Sequence, residues 1–473
     1  MPMSPIHLTP NLILRRLSAM RLACPVCLSP RAIRISVAVV AATVATALGT
    51  PVAAQPQCAA SPVVAGGQPS PASASTLQLP YASRDTPLLT ESWLAYRDRF
   101  IAEDGRVIDW ERADQHTTSE GQAYAMLRAV IIDDRDTFHR TLTWAEANLA
   151  RRDENGQLKD QLWAWRWAQQ PSGQWGILDE NFASDADIDA ITALLMAANR
   201  WNCEAYRELA QQKLADLWAF STLALDDLDG AKSSDRHLLP GPREAFFPEP
   251  DTLILNPSYV APYAFRLFAE ADPSRDWMSL VDSGYRMLEA ASNVSRKGLP
   301  GDWVVYNPKR DRYKPLPRRS NLSSNYSFDA FRVWWRVGLD AAWFREPRAF
   351  RYLETHSVYL QDLWQEEQSL PARVSRRGRS LVDYEATAQY AMLYPALRLI
   401  EPELAAEVRD QKLMPNYSDG FWDNDAAYYT QNLVWFGLLP LERPSFLMTS
   451  RRSISPASAV PTPSAPRHTS SGR

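Results

Sequence analysis

Three short acidic stretches lie far apart in this chain of 473 residues, and each precedes an apolar, helix-like run. The stretches are residues 118–122, 183–187 and 326–330. They carry Glu120, Asp185 and Asp329. A fold that gathers the starts of its helices at one end would bring these carboxyl groups together. Separated carboxyls in one cleft can supply a proton donor and a base that activates water, which is the chemistry of hydrolysis.

Glu120 also fits a purely structural role. Thr117 lies three residues before it, and this spacing matches a capping box, in which the Glu side chain reaches back to the helix start. A helix start favours the charged carboxylate, whereas a general acid must hold its proton near neutral pH. Burial and neighbouring carboxylates would have to outweigh that preference. If Glu120 is the acid, its pKa is predicted to lie well above that of a free glutamate.

Asp185 and Asp329 have similar structural alternatives. Asp185 and Asp187 point to different sides of a helix start, so one can face a cleft while the other caps or pairs, and Ser184 is placed as a cap. We assign Asp185 to the cleft. Arg332 follows Asp329 by one helical turn, which would give an ion pair on a helix surface. The same arginine would keep Asp329 ionised, as a base that takes a proton from water must be.

Aromatic residues are the second feature of the sequence that indicates a function, after the acidic stretches. The chain has 17 Trp and 18 Tyr, which either fill the core or offer flat faces on which sugar rings stack. Trp163, Trp165 and Trp167 lie on one side of an extended segment, either in a buried strand or as a stacking platform. Tyr259 follows Pro257 at a predicted helix start, where it would touch water or the central sugar. Carboxylates in a cleft lined with such rings suit the cleavage of a bond between sugars.

The elements that must position these residues are mostly helices. Apolar residues recur with a period near 3.6 in residues 123–131, 188–198 and 387–400. Several runs are apolar on most faces and predict inner, buried helices, whereas residues 207–217 have a polar side and predict an outer helix. About twelve helices fit into residues 89–444, which form one domain. A closed ring of six helical hairpins has that number, and so does a helical solenoid.

The two ends of the chain differ from this body. Residues 1–54 hold five Arg and no acid, then an apolar run and small residues up to Ala54, as a secretory signal does. We predict cleavage after Ala54 and a periplasmic or secreted protein. An uncleaved anchor is the alternative, although the apolar run is short for a membrane span. Residues 55–88 predict a disordered linker and residues 445–473 a disordered tail, since both are rich in Ser and Pro.

The net charge of the chain and its histidine and cysteine content argue against some functions, such as nucleic-acid binding and metal-dependent catalysis. Without the five Arg of residues 1–54 the chain has 46 basic and 55 acidic residues, so its net charge falls from −4 to −9. An acidic protein of this kind is not expected to bind nucleic acid. Six scattered His give no metal-ligand spacing, so we predict neither a catalytic metal nor a cofactor. Cys58 and Cys203 would survive cleavage, and a disulfide between them stays open.

Four motifs, in their order along the chain, resemble those of glycoside hydrolase family 8, the former cellulase family D. They are Ser-Glu-Gly-Gln at 119–122, Ala-Ser-Asp-Ala-Asp at 183–187, Asn-Pro-Ser-Tyr at 256–259 and Phe-Asp-Ala-Phe-Arg-Val at 328–333. The resemblance implies an all-α fold, an (α/α)6 barrel with small β additions, and hydrolysis with inversion. It suggests Glu120 as acid, Asp329 as base, and Asp185 and Tyr259 at the central subsite. Inversion would place the two carboxyls roughly 6.5–9.5 Å apart, to leave room for water.

The resemblance predicts endo-hydrolysis of a β-1,4-glucan. Trp163, Trp165, Arg332 and Gln122 complete the predicted substrate-binding set. The chain looks most like the endoglucanases that accompany bacterial cellulose synthases, so a cellulose synthase complex is a candidate partner of what we predict to be a monomer. Chitosan, xylan and mixed-linkage glucan are the alternative substrates within the family. A non-catalytic glucan-binding subunit of an export complex is the alternative outside it.

Overall fold

Two rings of helices make up most of the computed structural model, which describes residues 77–447. The inner helices are α2 (Ser119–Ile132), α4 (Ser184–Arg200), α7 (Pro262–Ala271), α9 (Phe328–Phe344), α12 (Thr387–Ile400) and α14 (Tyr428–Leu438). The outer helices are α1 (Thr86–Phe100), α3 (Arg135–Asn148), α5 (Glu204–Ser221), α8 (Trp277–Ser292), α10 (Pro347–His356) and α13 (Pro402–Val408). Each inner helix packs against the next, and α14 packs against α2, so the inner ring closes. Two further helices, α6 (Arg243–Phe246) and α11 (Val358–Glu367), lie in connections.

The inner helices are buried because apolar residues cover most of their faces. In α2 every residue except Glu120 is buried, and α4 is buried continuously from Ser184 to Ala198. Each outer helix returns the chain to the end from which it came, so the inner helices all run in the same direction. Their starts therefore lie at one end of the ring. This is the arrangement that brings the three acidic stretches together.

Within residues 77–447, four small antiparallel sheets lie in the connections between helices. The first contains β1 (Thr117–Thr118), β2 (Ala150–Arg152), β3 (Leu158–Gln169) and β4 (Trp175–Phe182), and the second β5 (Thr222–Ala224) and β6 (Arg236–Leu238). The third contains β7 (Leu253–Leu255), β8 (Val304–Asn307) and β9 (Arg312–Lys314), and the fourth β10 (Tyr417–Ser418) and β11 (Phe421–Trp422). In the first sheet Thr118 pairs with Arg166, which brings β3 next to the start of α2.

The ordered body starts earlier than the sequence suggests. Leu79 belongs to the predicted disordered linker, yet it is buried, and the neighbouring Gln78 N–H donates to the Ile132 carbonyl at 2.9 Å. Helix α1 also begins inside the predicted linker, with Pro87 in its first turn, where the missing N–H breaks no hydrogen bond. At the other end Leu447 is buried. The predicted linker and tail therefore both extend too far into the domain.

The predicted signal at residues 1–54, residues 55–76 of the predicted linker and residues 448–473 of the predicted tail lie outside the described residues. Cys203 is disulfide-bonded, and its partner lies outside the described residues as well. Among residues 77–447 no helix is both long enough and apolar enough to cross a membrane.

Candidate active site

Glu120 lies in the first turn of α2, at the end of the ring where the inner helices begin. This helix is capped by Thr118, whose hydroxyl accepts a hydrogen bond from the Gly121 N–H at 3.2 Å. Thr117 pairs in β1 instead, and its hydroxyl donates to the Val107 carbonyl at 2.7 Å. The capping box, which is the structural alternative for Glu120, therefore does not form, because the cap is one residue later. The Glu120 side chain takes no part in it and lines a pocket.

The surroundings of Glu120 favour the protonated carboxyl group. Burial is the main cause and the Asp185 carboxylate the second, and together they raise the pKa of Glu120 to about 8. The Arg332 guanidinium and the Trp165 indole N–H, which donates to Glu120 Oε1 at 3.3 Å, oppose this rise without cancelling it. The environment agrees with the predicted elevated pKa. A carboxyl group that holds its proton at neutral pH is suited to general acid catalysis.

A buried arginine joins the other two carboxylates. Arg332 Nη1 donates to Asp185 Oδ2 at 2.5 Å, and Arg332 Nη2 donates to Asp329 Oδ1 at 2.9 Å. The same two nitrogens also donate to the Tyr124 hydroxyl at 3.3 Å and the Ser258 hydroxyl at 3.0 Å. The Arg332 side chain is only 4% exposed. Arg332, which the sequence analysis places at the substrate, here contacts protein groups and fixes the spacing of Asp185 and Asp329.

Asp329 is oriented through both of its oxygens. Besides the bond from Arg332 to Oδ1, the Trp303 indole N–H donates to Oδ2 at 3.1 Å. The Asp329 side chain nevertheless remains 31% exposed. A carboxylate that is held in one orientation but still reaches solvent can accept a proton from a water molecule.

The helix start that carries Asp329 is capped from a distant loop. Asp302 Oδ1 accepts from the N–H groups of Ser327 at 3.1 Å and Ala330 at 3.0 Å, and Oδ2 accepts from the Ser327 hydroxyl. Burial, and then the nearby Asp329 carboxylate, raise the pKa of Asp302 to about 7. Asp302 is not recognisable from the sequence, because it lies 25 residues before the helix start that it caps, beyond any local capping pattern.

Tyr259 ends a 3-10 turn that precedes α7 and does not itself open the helix. Asn256 caps this turn, because its Oδ1 accepts from the Ser258 N–H at 2.9 Å and from the Ser258 hydroxyl at 2.8 Å. Ser258, held in this way, accepts the bond from Arg332. The Asn-Pro-Ser-Tyr motif therefore builds a rigid turn beside the carboxylates.

The Tyr259 side chain lies close to all three candidate catalytic carboxyls. Burial is the main reason that the pKa of its phenol lies well above the ordinary value, and Asp185, Glu120 and Asp329 raise it further. The Arg332 guanidinium lies 5.5 Å from the centre of the ring. The phenol therefore keeps its proton and can donate a hydrogen bond to a sugar or to water between the carboxyls.

Gln122 is not part of the cleft, contrary to prediction. Its side chain is fully buried. Its Oε1 accepts from the Val107 N–H at 2.6 Å, and its Nε2 donates to the carbonyls of Gly105 at 3.3 Å and Thr141 at 3.0 Å. Because these three bonds are all to backbone groups, Gln122 ties the loop before β1 to helix α3.

Trp163 is also buried, contrary to prediction, and is only 1% exposed. Its indole N–H donates to Glu146 Oε1 at 2.9 Å, and its backbone N–H donates to Asp187 Oδ1 at 3.2 Å. Asp187 therefore binds a backbone N–H group of β3, whereas Asp185 is the aspartate that pairs, with Arg332. The register of β3 and β4 is irregular between Ala164 and Trp167, so the three tryptophans do not share one face.

Trp165 does lie at the cleft, where it donates to Glu120 and lines the same pocket. Trp167 packs elsewhere, stacked on Trp175 with ring centres 4.9 Å apart. The stacking platform that the sequence predicts is therefore reduced to Trp165 at the site itself.

The pocket beside Glu120 has polar walls, and of their residues only Trp165 is predicted from the sequence. Its other lining residues are Asp109, Arg112, His116, Thr118, Trp165, Arg166 and Tyr428. His116 Nδ1 hydrogen-bonds Asp114 Oδ1 at 2.9 Å. Burial, and then the Arg166 guanidinium, lower the pKa of His116 to about 4, so this imidazole is neutral at neutral pH. No spacing pattern in the sequence indicates that these residues lie together, because the fold gathers them from the loop before β1, from β1 and β3, and from the start of α14.

Two substitutions of Asp302 distinguish the loss of its capping hydrogen bonds from the loss of its charge. Asp302→Ala leaves two backbone N–H groups unsatisfied at the start of α9, so the free energy of unfolding should fall by about 1–3 kcal/mol. Displacement of Asp329 should also lower kcat by about ten- to a hundredfold. Asp302→Asn keeps an acceptor oxygen and should recover most of both quantities. Denaturant unfolding and steady-state kinetics check this, and an Ala variant that matches wild type in kcat would contradict it.

Comparison with known proteins gives a family and several relatives. The family model for Glycosyl hydrolases family 8 matches residues 71–438. An endoglucanase of Xanthomonas axonopodis pv. citri (strain 306) is 34% identical over 263 residues, which is 55% of this chain and 62% of that protein. An endoglucanase of Escherichia coli (strain K12) is 32% identical over 248 residues, which is 52% of this chain and 62% of that protein. The matched region thus spans about three fifths of the length of these relatives.

Among solved structures, an endo-1,4-D-glucanase from Vibrio fischeri ES114 is similar with a TM-score of 0.60 and 26% identity. The match covers 73% of this chain and 93% of that one. Together with the closed inner ring, this similarity confirms the predicted (α/α)6 barrel.

Proposed function

This chain belongs to glycoside hydrolase family 8, as its motifs predict, and from that premise we propose that it hydrolyses internal β-1,4 bonds of a glucan with inversion. The observation that carries the proposal is the pair of carboxyl groups at separate helix starts. Glu120 is placed to hold a proton, and Asp329 is an oriented carboxylate that reaches solvent. The endoglucanases among its relatives support the choice of glucan.

Glu120 acts as the proton donor in this mechanism. It protonates the glycosidic oxygen as the bond to the anomeric carbon breaks, so the leaving sugar departs as a neutral alcohol. The pocket beside Glu120, with Trp165 and neutral His116 in its walls, receives the leaving part of the chain. An apolar face and polar side chains together suit a sugar, which has both kinds of surface.

Asp329 acts as the base on the opposite face of the central sugar. Arg332 and Trp303 hold its two oxygens, so it orients a water molecule toward the anomeric carbon. The water oxygen forms the new bond, its proton passes to Asp329, and the configuration at carbon inverts. Arg332 contributes by position, because it ties Asp329 to Asp185 at a fixed distance.

Asp185 and Tyr259 act on the central sugar itself. Asp185 is held by Arg332 and by the Ala186 N–H, which donates to Oδ1 at 2.9 Å. It accepts a hydrogen bond from a hydroxyl group of the sugar, and the Tyr259 phenol donates one. Hydrogen bonds that strengthen as the ring distorts toward the oxocarbenium geometry lower the barrier.

The pH dependence of the reaction should report the state of Glu120. The acid works only while it is protonated, so kcat/KM should fall as the pH rises through about 8, the value to which burial and Asp185 raise the pKa of Glu120. A profile of kcat/KM on a soluble glucan between pH 5 and pH 10 measures this limb, since kcat/KM reports the free enzyme.

The pH profile of the Trp165→Phe variant tests the same assignment, because Trp165 donates a hydrogen bond to Glu120. The indole N–H favours the charged carboxylate and lowers the pKa of Glu120, so its loss should move the alkaline limb to higher pH. A limb that does not move in this variant, or that lies near the pKa of a free glutamate in the wild type, would contradict the assignment.

Activity on four polymers tests the proposal as a whole. Wild-type protein and the Glu120→Gln variant are incubated with β-1,4-glucan, chitosan, xylan and mixed-linkage glucan, and new reducing ends are counted. The proposal expects the highest wild-type rate on β-1,4-glucan and a large loss in the variant. Higher activity on another polymer would replace the substrate. Binding of glucan with no new reducing ends would favour the non-catalytic subunit.

We propose in addition that the protein is exported and acts as a monomer, in association with a cellulose synthase complex. The basic and apolar composition of residues 1–54 supports export. N-terminal sequencing of protein recovered from the periplasm or the medium should begin at residue 55. Light scattering and co-purification with the synthase test the other two parts.

A further inference from the structure

The loops on the Asp329 side of the cleft are strongly basic, although the whole chain has a net charge of −4. Residues 293–327 join α8 to α9, and residues 368–386 join α11 to α12. Together they hold twelve Lys or Arg and four acids. The basic residues are Arg296, Lys297, Lys309, Arg310, Arg312, Lys314, Arg318, Arg319, Arg373, Arg376, Arg377 and Arg379. We call these two loops the basic rim.

The cations of the basic rim are available to a ligand, except Lys297, whose Nζ lies 4.8 Å from the centre of the Tyr359 ring. Within residues 77–447 none of the twelve forms an ion pair, whereas most buried arginines do. All are exposed except Arg373 and Arg376, which are half-buried. Charges of one sign that cluster without partners repel one another, and an anion that binds among them relieves that repulsion.

The two loops form one continuous surface. The Arg296 N–H donates to the Arg376 carbonyl at 2.8 Å, and the Arg376 N–H donates to Asn325 Oδ1 at 3.3 Å. Tyr326 and Val374 exchange backbone hydrogen bonds at 3.0 Å in both directions. The tip of the second loop therefore sits directly on the part of the first loop that leads into α9.

The basic rim is also the wall of the cleft. Trp303, whose indole holds Asp329, and Asp302, which caps the helix of Asp329, both belong to residues 293–327. The loop on the Glu120 side, residues 101–118, has the opposite balance, with five acids and two arginines. A glucan that crosses the cleft from Glu120 to Asp329 therefore passes onto the positive side.

We infer that the basic rim binds acidic groups carried by the glucan substrate, which rests on the proposed function. The ligand chemistry is an oxyanion, a carboxylate or a phosphate, attached to sugars beyond Asp329. Guanidinium groups suit such groups because their paired N–H bonds match two oxygens. The surface lies beside the bond to be cleaved and exposes only two large apolar side chains, Leu381 and Tyr384. This favours a substituted polymer in the cleft over insertion into a bilayer.

The test compares an anionic and a neutral soluble glucan. The rim variant R318Q/R319Q/R377Q/R379Q removes four exposed cations from the two loops. The control variant R84Q/R152Q/R345Q/R351Q removes four exposed arginines elsewhere. On carboxymethyl cellulose at low salt the rim variant should lose about tenfold in kcat/KM, as several weak, exposed ion pairs would give. On neutral hydroxyethyl cellulose it should match the wild type.

Two further measurements complete the experiment, namely activity at high salt and binding to lipid vesicles. Addition of about 0.5 M NaCl should shrink the difference between wild type and rim variant, since exposed charges are screened. Equal activity of the two proteins on carboxymethyl cellulose, or equal losses on both polymers, would overturn the inference. So would wild-type binding to phosphatidylglycerol vesicles that the rim variant loses without any change on carboxymethyl cellulose. Failure of the proposed function would look different, because the wild type would then leave both polymers uncut.

Discussion

Replacement of Glu120 by glutamine should lower kcat on β-1,4-glucan by about 10²–10⁴-fold, the usual effect of losing a general acid. Glutamine has nearly the same shape and can still accept the Trp165 N–H, so KM should change little. It cannot deliver a proton to the departing oxygen. Because burial and Asp185 raise the pKa of Glu120 to about 8, the substitution changes the charge of the site little at neutral pH.

Steady-state kinetics on a soluble glucan measure this effect, and unfolding curves establish that the variant is folded. Glu103→Gln is the matched control, since Glu103 is an exposed residue on the loop before β1 and should leave kcat unchanged. A second readout is the alkaline limb of the pH profile, which should disappear with the acid. Hydrolysis by Glu120→Gln at the wild-type rate would end the assignment of Glu120.

Replacement of Asp329 by asparagine should also lower kcat by about 10²–10⁴-fold, through loss of the base. The amide oxygen can take the place of Oδ1 and accept from Arg332, so the geometry should survive. It cannot take a proton from the attacking water. The substitution also leaves the Arg332 guanidinium with one carboxylate, Asp185, where it had two.

Activity on a glycosyl fluoride distinguishes the Glu120→Gln variant from the Asp329→Asn variant. A glycosyl fluoride has a leaving group that needs no protonation, so Glu120→Gln should recover activity on a β-linked glucosyl fluoride while Asp329→Asn should not. Asp383→Asn, on an exposed loop residue, is the control for the loss of an aspartate. Equal recovery of both variants on the fluoride would contradict the division of roles.

The sequence alone predicts the helices and the gathering of the acidic stretches well, because both follow from local information. Runs such as those of α2 and α4 are apolar on most faces, and this identifies an inner ring. Once inner and outer helices alternate, the inner helix starts must lie at one end. Glu120, Asp185 and Asp329 meet for that reason, and their motifs are specific enough to indicate the family.

The contacts of each side chain at that end of the barrel depend on packing. The spacing of residues in the sequence does not reveal that packing. Gln122 lies within the first acidic stretch, and Trp163 lies in β3, which pairs with β1 next to that stretch. The position of each in its helix or strand nevertheless turns its side chain inward. Arg332 follows Asp329 by one helical turn, and the i,i+3 spacing gave the pair correctly. It did not reveal that the same arginine also bonds Asp185, which comes from a different helix.

The positions of Asp302 and the basic rim are also not predictable from the sequence, because their contacts join residues that are far apart in the chain. A residue that caps a helix from 25 positions away leaves no mark in the sequence near that helix. The spacing of the arginines at 373–379 does not indicate where they lie, and only the contact of their loop with residues 296 and 325 places them beside the cleft. Long-range contacts of this kind depend on the closed ring, and the ring must be known before they can be predicted.

The central claim is that a proton donor and a water-activating carboxylate face each other across a bound glucan, with room for water between them. The most direct test is the configuration of the reducing ends at the moment they form, followed by proton NMR during hydrolysis of a β-1,4-glucan oligosaccharide. If Glu120 and Asp329 act by inversion, the α-anomer appears first and the β-anomer grows only as mutarotation proceeds. Initial formation of the β-anomer would mean retention, which requires carboxyls only about 5–5.5 Å apart and a covalent intermediate, and would contradict the central claim.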